Sequence, residues 1–319
     1  MSLQVAIQMD PIAGIDIRGD TTFALGLEAQ RRGHDLFVYH PADLSMDMEN
    51  GRLPKDSVLA TGQPTEFIDQ IGQHFNEGEK EQRYLIKSDV VLMRQDPPFD
   101  MQYITATHLL DHIHPETLVV NNPTEVRNAP EKLLITAFPD LLPPTLVSRN
   151  EDDIRAFRRA YKNIIVKPLF GNGGAGIFHI KPDDDNLSSL LEVMLAQDRA
   201  PLMIQQYLPD VRQGDKRVIL VDGVAVGALN RLPAEGEARS NMHVGGTPAE
   251  IDLDDHDHRI AEAIGPLLRD RGLLFTGIDV IGGYLTEINV TSPTGLREIE
   301  RFTGVNLAVN IWDAIEAKC

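Results

Sequence analysis

The N-terminal third of the chain alternates between strand-like and helix-like hydrophobic patterns. Leu3, Val5, Ile7 and Met9 recur at every second position, which is typical of a β-strand. Asp20 can cap the helix that follows, and Gly33 ends it. Further strands are predicted at residues 34–39, 90–93 and 118–121, with a helix at 103–110. This β-α-β alternation predicts an open, mostly parallel sheet over roughly the first 120 residues.

The next patterns are shorter and less regular. Residues 47–87 are polar and weakly patterned, and we interpret them as a hairpin and a helix inserted in the first sheet. Beyond Pro123 the pattern predicts helices at residues 133–138, after Asn150 and near 187–195, and strands at 145–147, 164–167, 177–180 and 203–206.

The last third is rich in hairpins. Strands at residues 218–221 and 224–228 flank a tight turn, and strands at 274–281 and 284–290 flank a second one, with a helix at 256–271 between the hairpins. Residues 232–247 have few apolar positions and several glycines. A connection of this length inside a compact domain is typical of a lid, so we expect it to be mobile without ligands and ordered when they bind.

Charge and cysteine content limit the functional class. The formal net charge is −18, which argues against a nucleic-acid or anionic-membrane partner. Cys319 is the only cysteine, so a disulfide framework is excluded. No apolar run is long enough for a membrane helix, and residues 1–10 lack the features of a signal peptide, so we expect a cytoplasmic protein.

Lys167 lies just before a glycine-rich segment at residues 171–176. Glycines let backbone N–H groups approach phosphate oxygens. The segment has neither the Walker pattern nor a dinucleotide fingerprint, because a strand follows it instead of a helix. On its own it is equally consistent with a flexible β-turn and with a hairpin that covers phosphates.

Asp279, Glu287 and Asn289 lie on the two arms of the last hairpin, among apolar residues. Carboxylate and amide oxygens are ligands that Mg²⁺ prefers, and buried carboxylates are paired or bound to metal. Asp279 and Glu287 can share a metal only if the register of the hairpin places them on the same face. A plain two-residue turn at Gly282 and Gly283 would send them to opposite faces. We therefore expect an odd-length loop or a β-bulge.

Asp215, Lys216 and Arg217 form a charged triplet, with Arg231 beyond the next turn. Arginines in a phosphate site stabilise developing negative charge. Taken alone, the triplet favours a solvated charged turn.

Several longer segments carry a resemblance to a known family. They are residues 9–12, 92–100 with the sequence LMRQDPPFD, 121–123, 131–132, 214–217 and 286–294 with the sequence TEINVTSPT. In this order, and with the clusters above, they resemble the bacterial glutathione synthetases, which are ATP-grasp ligases, over nearly the full length of the chain. The fold implied is an α/β ATP-grasp fold preceded by an open, mostly parallel N-terminal α/β domain.

The resemblance also implies roles for individual residues, with ATP and Mg²⁺ as cofactors and Mn²⁺ as an alternative metal. It places ATP at Lys132, Lys167, Gly171, Gly173, Gly174, Gln206, Tyr207, Leu208 and Asp215. It places the metal at Asp279, Glu287 and Asn289, and the reacting centre at Arg217 and Arg231. It places the peptide substrate at Asp10, Arg94, Asn241, Gly245, Ser292 and Thr294.

The function implied is ligation of glycine to γ-glutamylcysteine through an acyl phosphate, by a protein that the family implies is a homotetramer. The expected domains are an N-terminal substrate domain at residues 1–122 and two ATP-grasp subdomains at 123–206 and 207–319. Two alternatives stay open: another ATP-grasp ligase of peptides or amino acids, and a non-catalytic ATP-binding module. The segment around Arg94 argues against the first, and Asp279, Glu287, Asn289 and Arg217 together argue against the second.

Overall fold

Three β-sheets with flanking helices make up the described part of the chain. The computed structural model describes residues 2–171, 173–237, 239–240 and 245–319, apart from the side chain of Asn50. Within these ranges no helix is long and apolar enough to span a membrane. The α/β fold class predicted from the sequence is confirmed.

The first sheet has seven strands. They are β1 (Gln4–Gln8), β2 (Asp35–Met46), β3 (Val58–Phe67), β4 (Phe75–Glu77), β5 (Glu81–Tyr84), β6 (Val90–Met93) and β7 (Leu118–Val120). The order is β4-β3-β2-β1-β6-β7, and β5 also pairs with β3. The β2, β1, β6 and β7 strands are parallel, whereas β3, β4 and β5 add antiparallel pairs. The sheet is therefore mixed, with the predicted parallel strands on one side.

Helices α1 (Thr21–Arg31), α2 (Met101–Asp111) and α3 (Pro123–Arg127) accompany this sheet. Asp20 caps α1 by accepting a hydrogen bond from the backbone N–H of Phe23. The helix expected within residues 47–87 is wrong, because that segment forms strands and short 3₁₀ turns. Its prolines and glycines interrupt any helical run, and its polar strands extend the edge of the sheet instead.

The second sheet is antiparallel, with the order β10-β9-β11-β8. Its elements are β8 (Thr145–Ser148), α4 (Glu151–Tyr161), β9 (Ile164–Pro168), β10 (Phe178–Ile180), α5 (Leu187–Gln197) and β11 (Leu202–Gln206). Asn150 caps α4 as expected. The helix expected at residues 133–138 is only a 3₁₀ turn (Leu134–Ala137). Pro139 disfavours helical geometry at Phe138, which shortens the turn.

The third sheet is antiparallel, with the order β14-β13-β12-β15-β16. Its elements are β12 (Asp215–Val221), β13 (Val224–Leu232), β14 (Thr247–Glu250), α6 (Asp255–Asp270), β15 (Phe275–Ile281), β16 (Tyr284–Asn289), α7 (Leu296–Thr303) and α8 (Ala308–Glu316). The C-terminal α8 packs against α1, where buried Trp312 donates a hydrogen bond to the carbonyl of Leu25.

The last hairpin contains the bulge that the metal hypothesis requires. Its turn has two residues, with Ile281 paired to Tyr284, but the register shifts after Asp279. Thr286 is the extra residue of the bulge, so Asp279 pairs directly with Glu287. The two carboxylates therefore share one face. Of the two features expected from the sequence, an odd-length loop or a β-bulge, the structure has the bulge.

Candidate functional site

Two adjoining cavities lie between the second and third sheets. The distal cavity is lined by the end of β11 (Gln206, Tyr207 and Leu208), by Lys167 and by Asp215. The central cavity opens toward the first sheet, and its lining includes Lys132, Gly171, Gly173, Gly174, Arg217, Arg231, Glu287, Asn289, Ser292 and Thr294. Glu287 lines both cavities, so they are two ends of one site.

Two buried lysines face the junction of the cavities. Lys132 and Lys167 are 4% and 5% exposed, and each Nζ lies near Oε1 of Glu287, at 3.6 and 3.8 Å. Lys132 also donates a hydrogen bond of 2.9 Å to the carbonyl of Gly171, which fixes it to the glycine-rich segment. Burial lowers the pKa of Lys167. Two ammonium groups around one carboxylate leave a positive site, which suits an anionic ligand such as a polyphosphate.

A row of charged side chains crosses the third sheet. Arg217 pairs with Asp279 across neighbouring strands, and Asp279 pairs with Glu287 across the next. Directly paired residues project to the same face, so the row faces the cavities. Arg217 donates two hydrogen bonds to Asp279, from Nε at 2.5 Å and from Nη2 at 3.2 Å. Lys216 precedes Arg217 on β12 and therefore projects to the opposite face, where its Nζ lies 2.7 Å from Oδ2 of Asp257.

Arg231 connects this row to Asp215. Its Nη2 lies 2.6 Å from Oδ2 of Asp215 and 2.9 Å from Oδ2 of Asp279. The hydroxyl of Ser240 donates to the same oxygen of Asp215 at 2.8 Å, while Oδ1 of Asp215 is buried with no hydrogen-bond partner among the described residues. Two guanidinium groups and two carboxylates therefore form a nearly neutral buried cluster, with one acceptor oxygen free.

The two carboxylates of this cluster have opposite pKa shifts. Burial favours the neutral form of Asp279, but Arg217 and Arg231 outweigh burial and hold its pKa below the ordinary range. Burial raises the pKa of Asp215, and the neighbouring charge of Asp279 adds to that effect against the attraction of Arg231.

The residues predicted to hold a metal fit a hard divalent cation in part. Glu287 and Asn289 present carboxylate and amide groups to the central cavity, and the nearest lysines lie beyond hydrogen-bond distance of Glu287. The oxygens of Asp279 are already engaged by arginines. Within the described ranges no three acidic, His or Cys groups are arranged as a complete metal site. A cation here would need ligand phosphates as well as protein oxygens, which is the usual arrangement for Mg²⁺.

The residues predicted to bind the peptide are only partly brought together. Ser292 and Thr294 line the central cavity. Asp10 lines a separate cavity beside the first sheet, although its Oδ2 accepts a hydrogen bond from the backbone N–H of Asp96, a residue of the central cavity. Gly245 is exposed, and Asn241 lies outside the described residues, as does His243 in the expected lid.

Arg94 is buried between residues from the N-terminal and C-terminal parts of the chain. It donates hydrogen bonds to the hydroxyl of Thr22 at 3.1 Å and to the carbonyl of Pro293 at 3.0 Å, and its guanidinium lies over the ring of Phe275. Burial lowers its pKa. In this structure Arg94 supports the loop that carries Ser292.

Comparison with known proteins gives matches over the whole chain. Residues 3–127 match the family model described as prokaryotic glutathione synthetase, N-terminal domain, and residues 131–304 match the one for its ATP-grasp domain. A protein of Brucella melitensis named glutathione synthetase is 56% identical over 319 residues and covers all of both chains. One of the same name from Mesorhizobium japonicum is 54% identical over 318 residues, covering 100% of this chain and 99% of its own.

The chain belongs to the prokaryotic glutathione synthetase family. Solved structures support the same fold. The D-cycloserine synthetase DcsG has a TM-score of 0.67 at 15% identity, with 99% of this chain and 100% of that chain covered. The ATP-grasp ligase PsnB, in complex with a minimal precursor, has a TM-score of 0.64 at 16% identity over 100% of both chains. Family membership makes this chain an ADP-forming ligase that uses ATP, a divalent metal and small-molecule substrates.

In this glutathione synthetase family member, sequence reasoning missed Glu131 as a site residue. Glu131 lines the central cavity and accepts a 2.5 Å hydrogen bond from the hydroxyl of Thr291. Burial, with the nearby charge of Glu287, raises the pKa of Glu131 to about 7. Its position next to Lys132 was the available signal.

Sequence reasoning also missed Gly277 and Ser240. A Cβ at Gly277 would lie 3.0 Å from Cδ of Arg217, so the glycine makes room for that arginine. A glycine inside a buried strand indicates such close approach, so Gly277 could have been found. Nothing in the sequence signalled the contact of Ser240 with Asp215.

Proposed function

We propose that this protein joins glycine to γ-glutamylcysteine, with ATP converted to ADP and phosphate, and so produces glutathione. The observation that carries the proposal is identity of 52–56% over essentially the full length to proteins named glutathione synthetase. The two-ended site supports it, because one end suits a nucleotide and the other brings its phosphates to a second substrate.

We assign ATP to the distal cavity and to the junction. The base lies against Gln206, Tyr207 and Leu208 at the end of β11. Oδ1 of Asp215, which has no hydrogen-bond partner within the described ranges, is a suitable acceptor for a ribose hydroxyl. The phosphates extend toward the buried ammonium groups of Lys132 and Lys167. They also approach the glycine-rich segment at Gly171, Gly173 and Gly174.

We assign Mg²⁺, with Mn²⁺ as an alternative, to Glu287 and Asn289, with Asp279 as the third ligand once its arginine contacts are released. When bound, the cation neutralises phosphate charge and orients the transferred group. The protein's part is to hold the carboxylate and amide on one face through the bulge at Thr286.

The chemistry has two steps. A carboxylate oxygen of γ-glutamylcysteine bonds to the γ-phosphorus of ATP, and ADP leaves with the bonding electrons. The amine of glycine then attacks the acyl carbon and loses a proton, and phosphate leaves. Arg217 and Arg231 face the central cavity and stabilise the negative charge that develops in both steps. We propose that residues 232–246 and the glycine-rich segment at 171–176, each of which lies partly outside the described residues, close over the reactants and exclude water.

The peptide site is assigned to the side of the central cavity that faces the first sheet. Ser292 and Thr294 line the cavity there, and the buried Arg94 holds their loop. We propose that Asp10, Asn241 and Gly245 also contribute to the peptide site.

The larger organisation is proposed in the same way. We propose an N-terminal substrate domain at residues 1–122 and ATP-grasp subdomains at 123–206 and 207–319; each range contains one of the three sheets. We also propose a cytoplasmic homotetramer, as the family resemblance implies.

The test is release of ADP from ATP and Mg²⁺ with γ-glutamylcysteine, with and without glycine. We expect sustained release only with both substrates, and one glutathione formed for each ADP. Sustained turnover with D-alanine or glutamate but not glycine would identify another ligase of the same fold. ATP binding without turnover on any of these would identify a non-catalytic module.

A further inference from the structure

Two aromatic rings stack at the edge of the distal cavity. The rings of His179 and Tyr207 are 4.0 Å apart between centroids and 13° from parallel. Tyr207 lines the cavity directly after β11, whereas His179 lies on β10 and has no role in the proposed mechanism. The stack therefore connects a cavity wall to a strand on the far edge of the second sheet.

Asn163 fixes both members of the stack. Nε2 of His179 lies 2.7 Å from Oδ1 of Asn163, and the backbone N–H of Tyr207 donates a 3.0 Å hydrogen bond to the carbonyl of Asn163. Burial lowers the pKa of His179; Lys181 and Arg212 act in the same direction, against Asp184. A neutral imidazole that donates from Nε2 therefore stacks on the tyrosine.

Strand register places His179 on the cavity side of the sheet. His179 pairs with Ile165, which lines the distal cavity, so both project to that face. Phe178, the preceding residue, pairs with Val166, whose side chain is buried in the core on the opposite face. The same strand thus carries one aromatic residue toward the site and one away from it.

We propose that His179 is a positioning residue for the base of the nucleotide: its stack on Tyr207 holds residues 206–208 in the geometry that receives the base. This inference rests on the proposed function, which assigns the distal cavity to ATP. A tyrosine in an irregular segment at a strand end has free rotamers, and ordering them on binding costs affinity. The stack and the hydrogen bonds of Asn163 order the segment beforehand.

Removal of the His179 ring should weaken the binding only of ligands that carry a base. Aromatic pairs contribute enough that loss of the stack should weaken ATP and ADP binding by about twofold to tenfold. The turnover number should stay unchanged, because the phosphates and the reacting carboxylate lie at the junction and in the central cavity. Tripolyphosphate, which has the phosphates without base or ribose, should bind equally well before and after the change.

The test compares three variants with the unaltered protein. Calorimetry gives the Kd for ATP, ADP and tripolyphosphate, and steady-state assays give kcat and the KM for ATP. His179→Ala should raise the Kd and KM for the nucleotides but not the Kd for tripolyphosphate. His179→Phe keeps a flat ring on Tyr207 and should restore nucleotide binding to within about twofold. Phe178→Ala, on the opposite face of the same strand, is the matched control and should bind ATP normally.

The outcomes separate this inference from the proposed function. If the unaltered protein binds no ATP, the nucleotide assignment itself fails. If it binds ATP and His179→Ala binds equally well, or loses tripolyphosphate to the same extent, His179 has no positioning role for the base. If His179→Ala does not fold, His179→Phe still decides: a loss of nucleotide affinity despite its ring, with normal tripolyphosphate binding, would overturn the role of stacking.

Discussion

Arg231 neutralises two buried carboxylates, and replacing it by methionine tests whether the charged cluster is balanced as its contacts indicate. Arg231 is 4% exposed and contacts Asp215 at 2.6 Å and Asp279 at 2.9 Å. Methionine keeps much of the length of the side chain but removes the charge. Asp279 would keep its pair with Arg217, whereas the carboxylate of Asp215 would keep only the hydroxyl of Ser240 among its partners in the described part of the chain.

The expected cost follows from the uncompensated charge at Asp215. Removing one partner of a buried ion pair costs about 3–5 kcal/mol, because the other charge stays buried. Asp215 can escape part of this cost by taking up a proton, and burial already raises its pKa. We therefore expect Arg231→Met to lower the free energy of unfolding by about 3–5 kcal/mol at pH 8, and by clearly less at pH 5.

The assay is urea unfolding of the ligand-free protein, followed by circular dichroism at both pH values. The double variant Arg231→Met/Asp215→Asn supplies the control, because it removes one charge of each sign and leaves Arg217 paired with Asp279. It should recover most of the lost stability. A single variant within 1 kcal/mol of the unaltered protein, or a double variant no more stable than the single one, would refute the account of a balanced cluster.

Three other predictions follow from the same site. Arg217→Lys should lower kcat by roughly 10²-fold in the ligase assay and leave the Kd for ATP nearly unchanged, because lysine cannot reproduce the two-pronged guanidinium; near-normal turnover would remove Arg217 from the mechanism. The raised pKa of Glu131, about 7, means that the folded state binds a proton more tightly than the unfolded chain. The stability contributed by this bound proton is present below about pH 4.5 and is lost as the pH rises through about 7. Melting temperatures of ligand-free Glu131→Gln should therefore lack this decline between the two pH values. Parallel pH profiles of melting temperature for the variant and the unaltered protein would contradict the prediction. Trypsin cleavage after Arg239, which lines the distal cavity, should slow when ATP and peptide bind; equal cleavage rates would count against a lid.

Local patterns in the sequence were enough to predict most elements of the fold. The 90–93 strand has the predicted bounds, and Asp20 and Asn150 cap the predicted helices, because alternation and capping depend on neighbouring residues. Residues 47–87 gave no clear period, and there the helix prediction was wrong. Of the strands in this segment, β3 pairs with β2, and β4 and β5 pair with β3. The pairing of β3 with β2 is a long-range contact that the local pattern of the segment does not specify.

The candidate site divides in the same way. The sequence by itself determined which residue types were available and on which strands they lie: Lys167 before the glycine-rich segment, and Asp279, Glu287 and Asn289 on one hairpin. Only the tertiary structure decided their register, because the bulge at Thr286 moves one arm by a residue and brings two carboxylates to one face.

Tertiary structure also decided which charges meet. Arg231, Asp215 and Asp279 come from three different strands, and Ser240 comes from the connection after β13. Their ionic state depends on burial and on distances of about 3 Å between them, which spacing along the chain does not specify. The sequence therefore determined the chemistry that the site contains. Three-dimensional packing determined which of these groups are paired, and it leaves Oδ1 of Asp215 without a hydrogen-bond partner among the described residues.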